Sequence, residues 1–196
     1  MDIKQRVTEI FTQEAQAISS IPVSDEFERA VKLLQGCNGK VLTTGMGKAG
    51  HIAHKFSATL CSTGTPASFV HPGEAAHGDL GIIEDNDAIV AFSTSGKTKE
   101  VLDTLSAGRE LGLHTVIGIT SHPDSELREL SDVVLDMGSI KEACVFELTP
   151  TSSMAVMLAI SDALALLLME VKGFTPEDFG KRHHGGYLGK KARNSG

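Results

Sequence analysis

A chain of 196 residues with 41% hydrophobic content carries enough apolar material for one full core and calls for neither a second domain nor a long disordered tail. A formal net charge of −7, a single Tyr and no Trp argue against a nucleic-acid surface while leaving room for a local basic pocket around a small anion. Three cysteines, Cys37, Cys61 and Cys144, lack CxxC spacing, and the N-terminal MDIKQRVTEIF lacks the apolar core of a signal peptide, so the chain reads as cytoplasmic. Each cysteine reads as packing, with a reactive thiol as the alternative.

Residues 2–19 set Ile3, Val7, Ile10, Phe11, Ala17 and Ile18 at helical spacing before Pro22. A second helix is expected from Ser24, with an acidic first turn and the stripe Phe27, Ala30, Val31 and Leu34, ending near the glycines at 36 and 39. Both read as packing helices without chemistry. Lys40 to Thr44 is a short buried strand that runs into Gly45-Met46-Gly47-Lys48-Ala49-Gly50, and His51 to Cys61 is helical. The GxGxxG spelling alone does not make a dinucleotide site, because residues 63–69 offer no acidic residue at a second strand end. Gly50 can instead seat the helix on the sheet, and Lys48 beside the glycine turn is placed to pair with an anion or to stand in solvent.

Ser68 to Val70 is a second strand, and it leads into His71 to Leu80, a loop dense in ionisable groups where His77 is a candidate acid or base. Ala88 to Phe92 is the third strand. Behind it come Ser93-Thr94-Ser95-Gly96-Lys97-Thr98 and a helix starting near Glu100. Strand, tight polar turn and helix in that order suit phosphate: Ser93, Ser95 and Thr98 supply hydroxyl donors, Gly96 permits close backbone approach, and the helix aims free N–H groups at the turn. A plain turn with a helix cap is the competing reading.

Thr115 to Thr120 is the next strand, Asp124 to Ser131 a helix and Val133 to Asp136 the last strand. Short apolar strands alternating with helices imply a doubly wound α/β fold with a five-stranded parallel sheet flanked by helices, whose ligands bind at the carboxyl ends of the strands. The turns around Gly45, His77 and Ser95 all follow strands and can share one crevice. A helix from Ser152 to Lys172, with Ser or Thr as cap, is apolar except for Ser161, Asp162 and Glu170. Asp162 at its centre and the lack of a basic flank make it a core or interface helix rather than a membrane span. The tail starts a helix at Pro176 and breaks at Gly185-Gly186, leaving His183-His184 at a helix end. A metal centre would need His71, His77, His183 and His184 to converge, and no pair has the spacing that pre-arranges ligands, so no metal is assigned.

These segments, GMGKAGHIAHK, STGTPASFVHPGEAAHGDLG, FSTSG, TPTSS and GFTPEDFGKRHHGGYLG, together resemble the sugar isomerase (SIS) domain family and, within it, the arabinose 5-phosphate isomerases. The resemblance implies a flavodoxin-like SIS fold in one domain: N-terminal helices 2–36, an α/β core 40–172, and a C-terminal helix and histidine-containing tail 174–196. It implies phosphate binding at Ser93, Ser95, Gly96 and Thr98, further substrate contacts at Gly45, Gly47, Thr151 and Ser152, and site chemistry at Lys48, His77, Glu100 and His183. It implies interconversion of D-ribulose 5-phosphate and D-arabinose 5-phosphate through an enediol, without a cofactor, in a homotetramer that supplies the sugar acid Kdo for lipopolysaccharide or capsule. Glu100 is the leading candidate base, His183 and His77 are candidates for ring opening and proton transfer at oxygen, and Lys48 for stabilising developing negative charge. The departures are Thr94 and Lys97 in place of an amide and an acid, His184 in a position usually held by Pro, and a changed segment from Val145 to Thr149. The paired CBS domains that commonly follow are absent before Gly196, so regulation through them is not expected. A phosphosugar-binding module without catalysis, or a SIS isomerase for another phosphosugar, are the competing functions.

Overall fold

The computed structural model describes residues 1–193; the last three residues of the expected tail lie outside it. In chain order the elements are α1 (Ile3–Ser19), α2 (Asp25–Gln35), β1 (Val41–Gly45), α3 (Gly47–Ser62), β2 (Ala67–Val70), α4 (Pro72–Ala75), a 3-10 turn (Asp79–Ile82), β3 (Ala88–Phe92), α5 (Lys99–Glu110), β4 (Thr115–Thr120), α6 (Glu126–Leu130), β5 (Val133–Asp136), α7 (Ser152–Val171), α8 (Pro176–Arg182) and α9 (Gly186–Arg193). All strand pairs are parallel, in the order β2-β1-β3-β4-β5.

Alternation along the strands divides the apolar side chains between two layers. Val90 and Phe92 of β3, with Ile117 and Ile119 of β4, face α2, α3 and α7; Phe56 of α3 meets Phe92 edge-on at 5.9 Å. Ile89, Ala91 and Val116 face Val101 and Leu105 of α5 and Leu127 of α6. The inner side of α7 (Val156, Met157, Ile160, Leu164, Leu168) is fully buried in the first layer, and Asp162 pairs with Lys55 of α3. Long and apolar enough to cross a membrane by composition, α7 is instead the core helix against which α1, α2 and α3 pack. Leu166, Leu167 and Val171 stay exposed on its outer side.

Several local expectations are corrected. α3 begins at Gly47 inside the glycine run rather than at His51, which puts Lys48 in its first turn. The loop 71–80 contains a helical turn opened by Pro72, whose fixed φ suits a first helical position, and the 3-10 turn that follows. The helix opened at Pro176 ends at Arg182 and leaves His183 and His184 at its end, as expected, and a further helix, α9, not expected from the sequence, starts at Gly186. No residue of α1 is buried: Ile3, Val7, Phe11 and Ile18 point outward, while the inner, half-buried line is Arg6, Ile10, Gln13, Glu14 and Ala17.

Candidate active site

The chain leaves β1 toward β2 on one side and returns through β3 toward β4 and β5 on the other, so the strand order reverses between β1 and β3. Loops diverge at such a reversal and open a crevice beyond the strand ends. Gly45 and Phe92 pair at the end of this register, and the glycine and serine turns leave the sheet side by side. Between them lies a crevice of about 400 Å³, lined by Met46 and Lys48 from one turn, Ser93, Thr94, Ser95 and Thr98 from the other, and Glu142, Glu147, Leu148 and Ser153 from the segment after β5.

The glycines here serve different ends. An added Cβ on Gly50 would fall inside contact distance of the Gly45 carbonyl oxygen and 3.1 Å from its carbon, so this glycine seats α3 on β1. Gly47 has φ +60° with open space around it, and its need is conformational. Gly96, expected to let a ligand approach, has φ +62°, and a Cβ there would lie 2.6 Å from Ser125 Cβ and 2.8 Å from Thr120 Oγ1. Its missing side chain makes room for the neighbouring strand and loop rather than for the crevice.

Within the serine turn, Ser93 is 3% exposed, and its hydroxyl lies 2.9 Å from Thr98 Oγ1 while accepting the Gly96 N–H at 3.1 Å. Thr98 occupies the cap position of α5 but spends its hydroxyl on Ser93 rather than on the helix. Ser95 Oγ accepts from Lys97 N at 3.2 Å, which leaves its own proton to donate. The carbonyl of Thr94 accepts from Ser121 N and Thr120 Oγ1, which fixes the turn to the end of β4. Lys48 is exposed on the crevice wall, and no ion pair engages it among the described residues.

The opposite wall is the start of α7. Ser or Thr is the expected cap of this helix, yet the hydroxyls of Thr151, Ser152 and Ser153 are buried with no hydrogen-bond partner among the described residues. The Glu142 carboxylate takes over, accepting from Thr151 N at 2.7 Å and from Ser153 N at 3.3 Å, as an acidic group at a helix N-terminus should. Three orphaned hydroxyls at one helix start, with Ser153 on the crevice wall, form an unusual concentration of donors for a folded protein, in which buried polar groups are nearly always paired. Glu142 carries no local sequence signal, since it meets α7 across a loop of irregular backbone. That loop exposes Val145, Phe146 and Leu148, and Glu147 holds φ +54°. The N–H groups of Thr149 and Leu148 point at Cys144 Sγ, each at 3.3 Å, and they lower its thiol from 9.0 to about 7. Cys37, half-buried, packs against the core as expected, whereas Cys61 is exposed and Cys144 is half-buried in this loop.

The four residues expected to carry chemistry are not gathered by one chain. Lys48 is in the crevice. Glu100, exposed in the first turn of α5, lines a separate hollow of about 230 Å³ with Pro72, Ala76 and Leu80. His77 is exposed just past α4 and donates its backbone N–H to Glu74 O. His183 stacks on Phe179 with ring centres 3.8 Å apart, and its Nδ1 lies 3.0 Å from Phe179 O, in a tail where α8 packs on α9. Among the described residues no three His, Cys, Asp or Glu side chains converge as a metal set. A larger groove, about 790 Å³, runs along α1 past Gln5, Glu9 and Gln16 to Lys141, but neither the glycine turn nor the serine turn lines it; donors, not volume, single out the crevice.

Residues 33–167 match the SIS domain model. The chain is 46% identical over 180 residues to the arabinose 5-phosphate isomerase KdsD of Pseudomonas aeruginosa, covering 91% of this chain and 55% of that protein. It thus spans little more than half the length of the curated relatives it matches. A candidate phosphosugar isomerase of capsule formation from Bacteroides fragilis superposes with a TM-score of 0.91 at 46% identity, over 94% of this chain and 99% of that one. An Escherichia coli CFT073 protein in complex with arabinose 5-phosphate superposes at 0.88 and 39% identity, over 93% and 97%. With the reversed strand order and the serine turn beside it, these matches establish that the chain belongs to the SIS domain family.

Proposed function

We propose that this chain is an aldose–ketose isomerase that interconverts D-ribulose 5-phosphate and D-arabinose 5-phosphate. The observation that carries the reading is the crevice at the strand reversal, where Ser95, the exposed Lys48 and the orphaned Ser153 hydroxyl face one another. The relatives named for arabinose 5-phosphate isomerase activity, and the one holding arabinose 5-phosphate, supply the substrate class. The phosphate takes the serine turn, with hydroxyls and helix-start amides as donors. A base removes the proton from the hydroxyl-bearing carbon, carbon 1 of the ketose or carbon 2 of the aldose, as the carbonyl oxygen takes up a proton to give the enediol. The carbon-bound proton then returns to the former carbonyl carbon while the other hydroxyl gives up its proton and becomes the new carbonyl. The Lys48 ammonium offsets the charge that develops on oxygen. Glu142, one of two carboxylates on the crevice lining and the one held against the α7 N-terminus, joins Glu100 as the acid–base pair.

Glu100, His77 and His183 lie outside the crevice of their own chain, and the outer apolar line of α1 stands exposed among the described residues. Both features favour a homotetramer in which neighbouring chains complete each site. We place the enzyme in the cytoplasm, supplying Kdo for lipopolysaccharide or capsule. The same separation of acid–base groups favours, as a second reading, a module that binds phosphosugars without converting them. Incubation of purified protein with ribulose 5-phosphate and a panel of other sugar phosphates decides. Arabinose 5-phosphate should appear and equilibrate; tight binding without conversion supports the second reading, and conversion only of another phosphosugar overturns the substrate assignment.

A further inference from the structure

On α1 the outward line carries the apolar Ile3, Val7 and Phe11, while the half-buried inner line mixes the apolar Ile10 and Ala17 with Arg6, Gln13 and Glu14. Two of the inward polar residues, Arg6 and Gln13, share one target. Gln13 Nε2 donates to the carbonyls of Lys141 at 3.1 Å and Glu142 at 2.9 Å, and the Arg6 guanidinium donates to the carbonyl of Ala143. Arg6 and Gln13 stand seven residues apart, two turns on one helix face, and their long side chains converge on these three consecutive residues. The clamped segment has no regular secondary structure to fix it and is followed by the exposed loop 145–149. Its central side chain, Glu142, joins the α7 N-terminus to the crevice wall.

We infer that Gln13 and Arg6 are positioning residues for Glu142, so that α1, which lies outside the residues matching the family model, is part of the site's framework. The inference rests on the isomerase reading for its kinetic consequence and on geometry alone for its structural one. A carboxylate that works on a bound sugar tolerates little displacement, with about 1 Å worth on the order of a hundredfold in rate. Loss of the clamp therefore acts on turnover through Glu142 and leaves the serine turn intact.

The test is a double-mutant cycle of Gln13→Met and Glu142→Gln, read as kcat and KM for ribulose 5-phosphate and as amide hydrogen exchange at Thr151 and Ser153. Gln13→Met should lower kcat by about tenfold or more with KM within about twofold, and should add no further loss in the Glu142→Gln background. Exchange at Thr151 and Ser153, whose N–H groups Glu142 accepts, should quicken in Gln13→Met. An equal loss of kcat in both backgrounds, or an unchanged kcat, overturns the inference. If the wild type does not turn over ribulose 5-phosphate, the isomerase reading falls, and the exchange data still decide: faster exchange supports the clamp and unchanged exchange overturns it. Should Gln13→Met not fold, Gln13→Glu, of the same length but without the donor, replaces it in the cycle.

Discussion

Replacing Gly50 by Ala sets two effects of opposite sign against each other. Alanine in a helix interior is worth about 1 kcal/mol over glycine, and α3 alone would gain that much. The new methyl, however, would meet the Gly45 carbonyl, and the obstacle is backbone at the end of a central strand rather than a side chain that can swing away. Restoring ordinary contact needs the start of α3 to retreat by about 1 Å, and overpacking of this kind costs about 1–3 kcal/mol. The clash wins by about 1 kcal/mol, which in a chain of this size lowers Tm by about 2–4 °C. Lys48 rides on the same helical turn, so the retreat also carries its ammonium away from the bound sugar. Thermal unfolding followed by circular dichroism, paired with turnover of ribulose 5-phosphate, reads both consequences. A Tm that rises by the helix-propensity amount, with activity kept, would refute the account of α3 seating on β1.

Ser95→Ala deletes a donor to a charged phosphate, worth roughly 1.5–3 kcal/mol, so affinity for arabinose 5-phosphate should fall by about ten- to hundredfold while the far-ultraviolet spectrum is unchanged; calorimetric titration showing equal affinity would remove the serine turn from the site. Glu100→Gln should spare binding and suppress exchange of the substrate's carbon-bound proton with solvent, and exchange at the wild-type rate would exclude it as base. Mixed oligomers of Glu100→Gln and His183→Ala chains should regain activity if neighbouring chains complete each site, and no recovery would argue that each chain is self-contained. For Cys144, alkylation by iodoacetamide should show a midpoint near pH 7, and one at or above 8.5 would contradict the two N–H bonds on its sulfur. The linked stability has a fixed sign: with the folded thiol depressed from 9.0, it is present above pH 9 and is lost as pH falls through about 7.

What the sequence discloses follows from where the determining interactions lie along the chain. The strands are legible because a parallel strand is buried on both faces and must be a short unbroken apolar run, as in Ala88–Phe92. The serine turn is legible because turn, strand and following helix are contiguous. α4 and α9 are not, since one is a single turn and the other begins on a glycine that ordinarily ends helices. Gly96 reads as necessary but for the wrong neighbour, because Ser125 and Thr120 arrive from 24 or more residues away in sequence. Glu142 escapes notice for a similar reason: its partners Thr151 and Ser153 lie across an irregular loop, so no periodicity ties them together.

The orientation of α1 extends that argument from one chain to several. Periodicity finds its apolar line correctly, and the rule that such a line faces the core assigns it inward. The structure turns much of it out, with Ile3 69% and Phe11 67% exposed, and sets Arg6 and Gln13 beside Ile10 and Ala17 on the inner line. A periodic pattern reports that a face is to be buried, not by which chain. In an assembly where a neighbour covers Ile3, Val7 and Phe11, the same helix would be pressed onto segment 141–143 from outside while its polar face grips that segment from within. Assembly and placement of Glu142 would then depend on one element, so a charge placed on the outer line, as in Phe11→Glu, should weaken association and turnover together. Light scattering alongside kcat separates the cases: a dissociated chain with undiminished turnover would break the link between them.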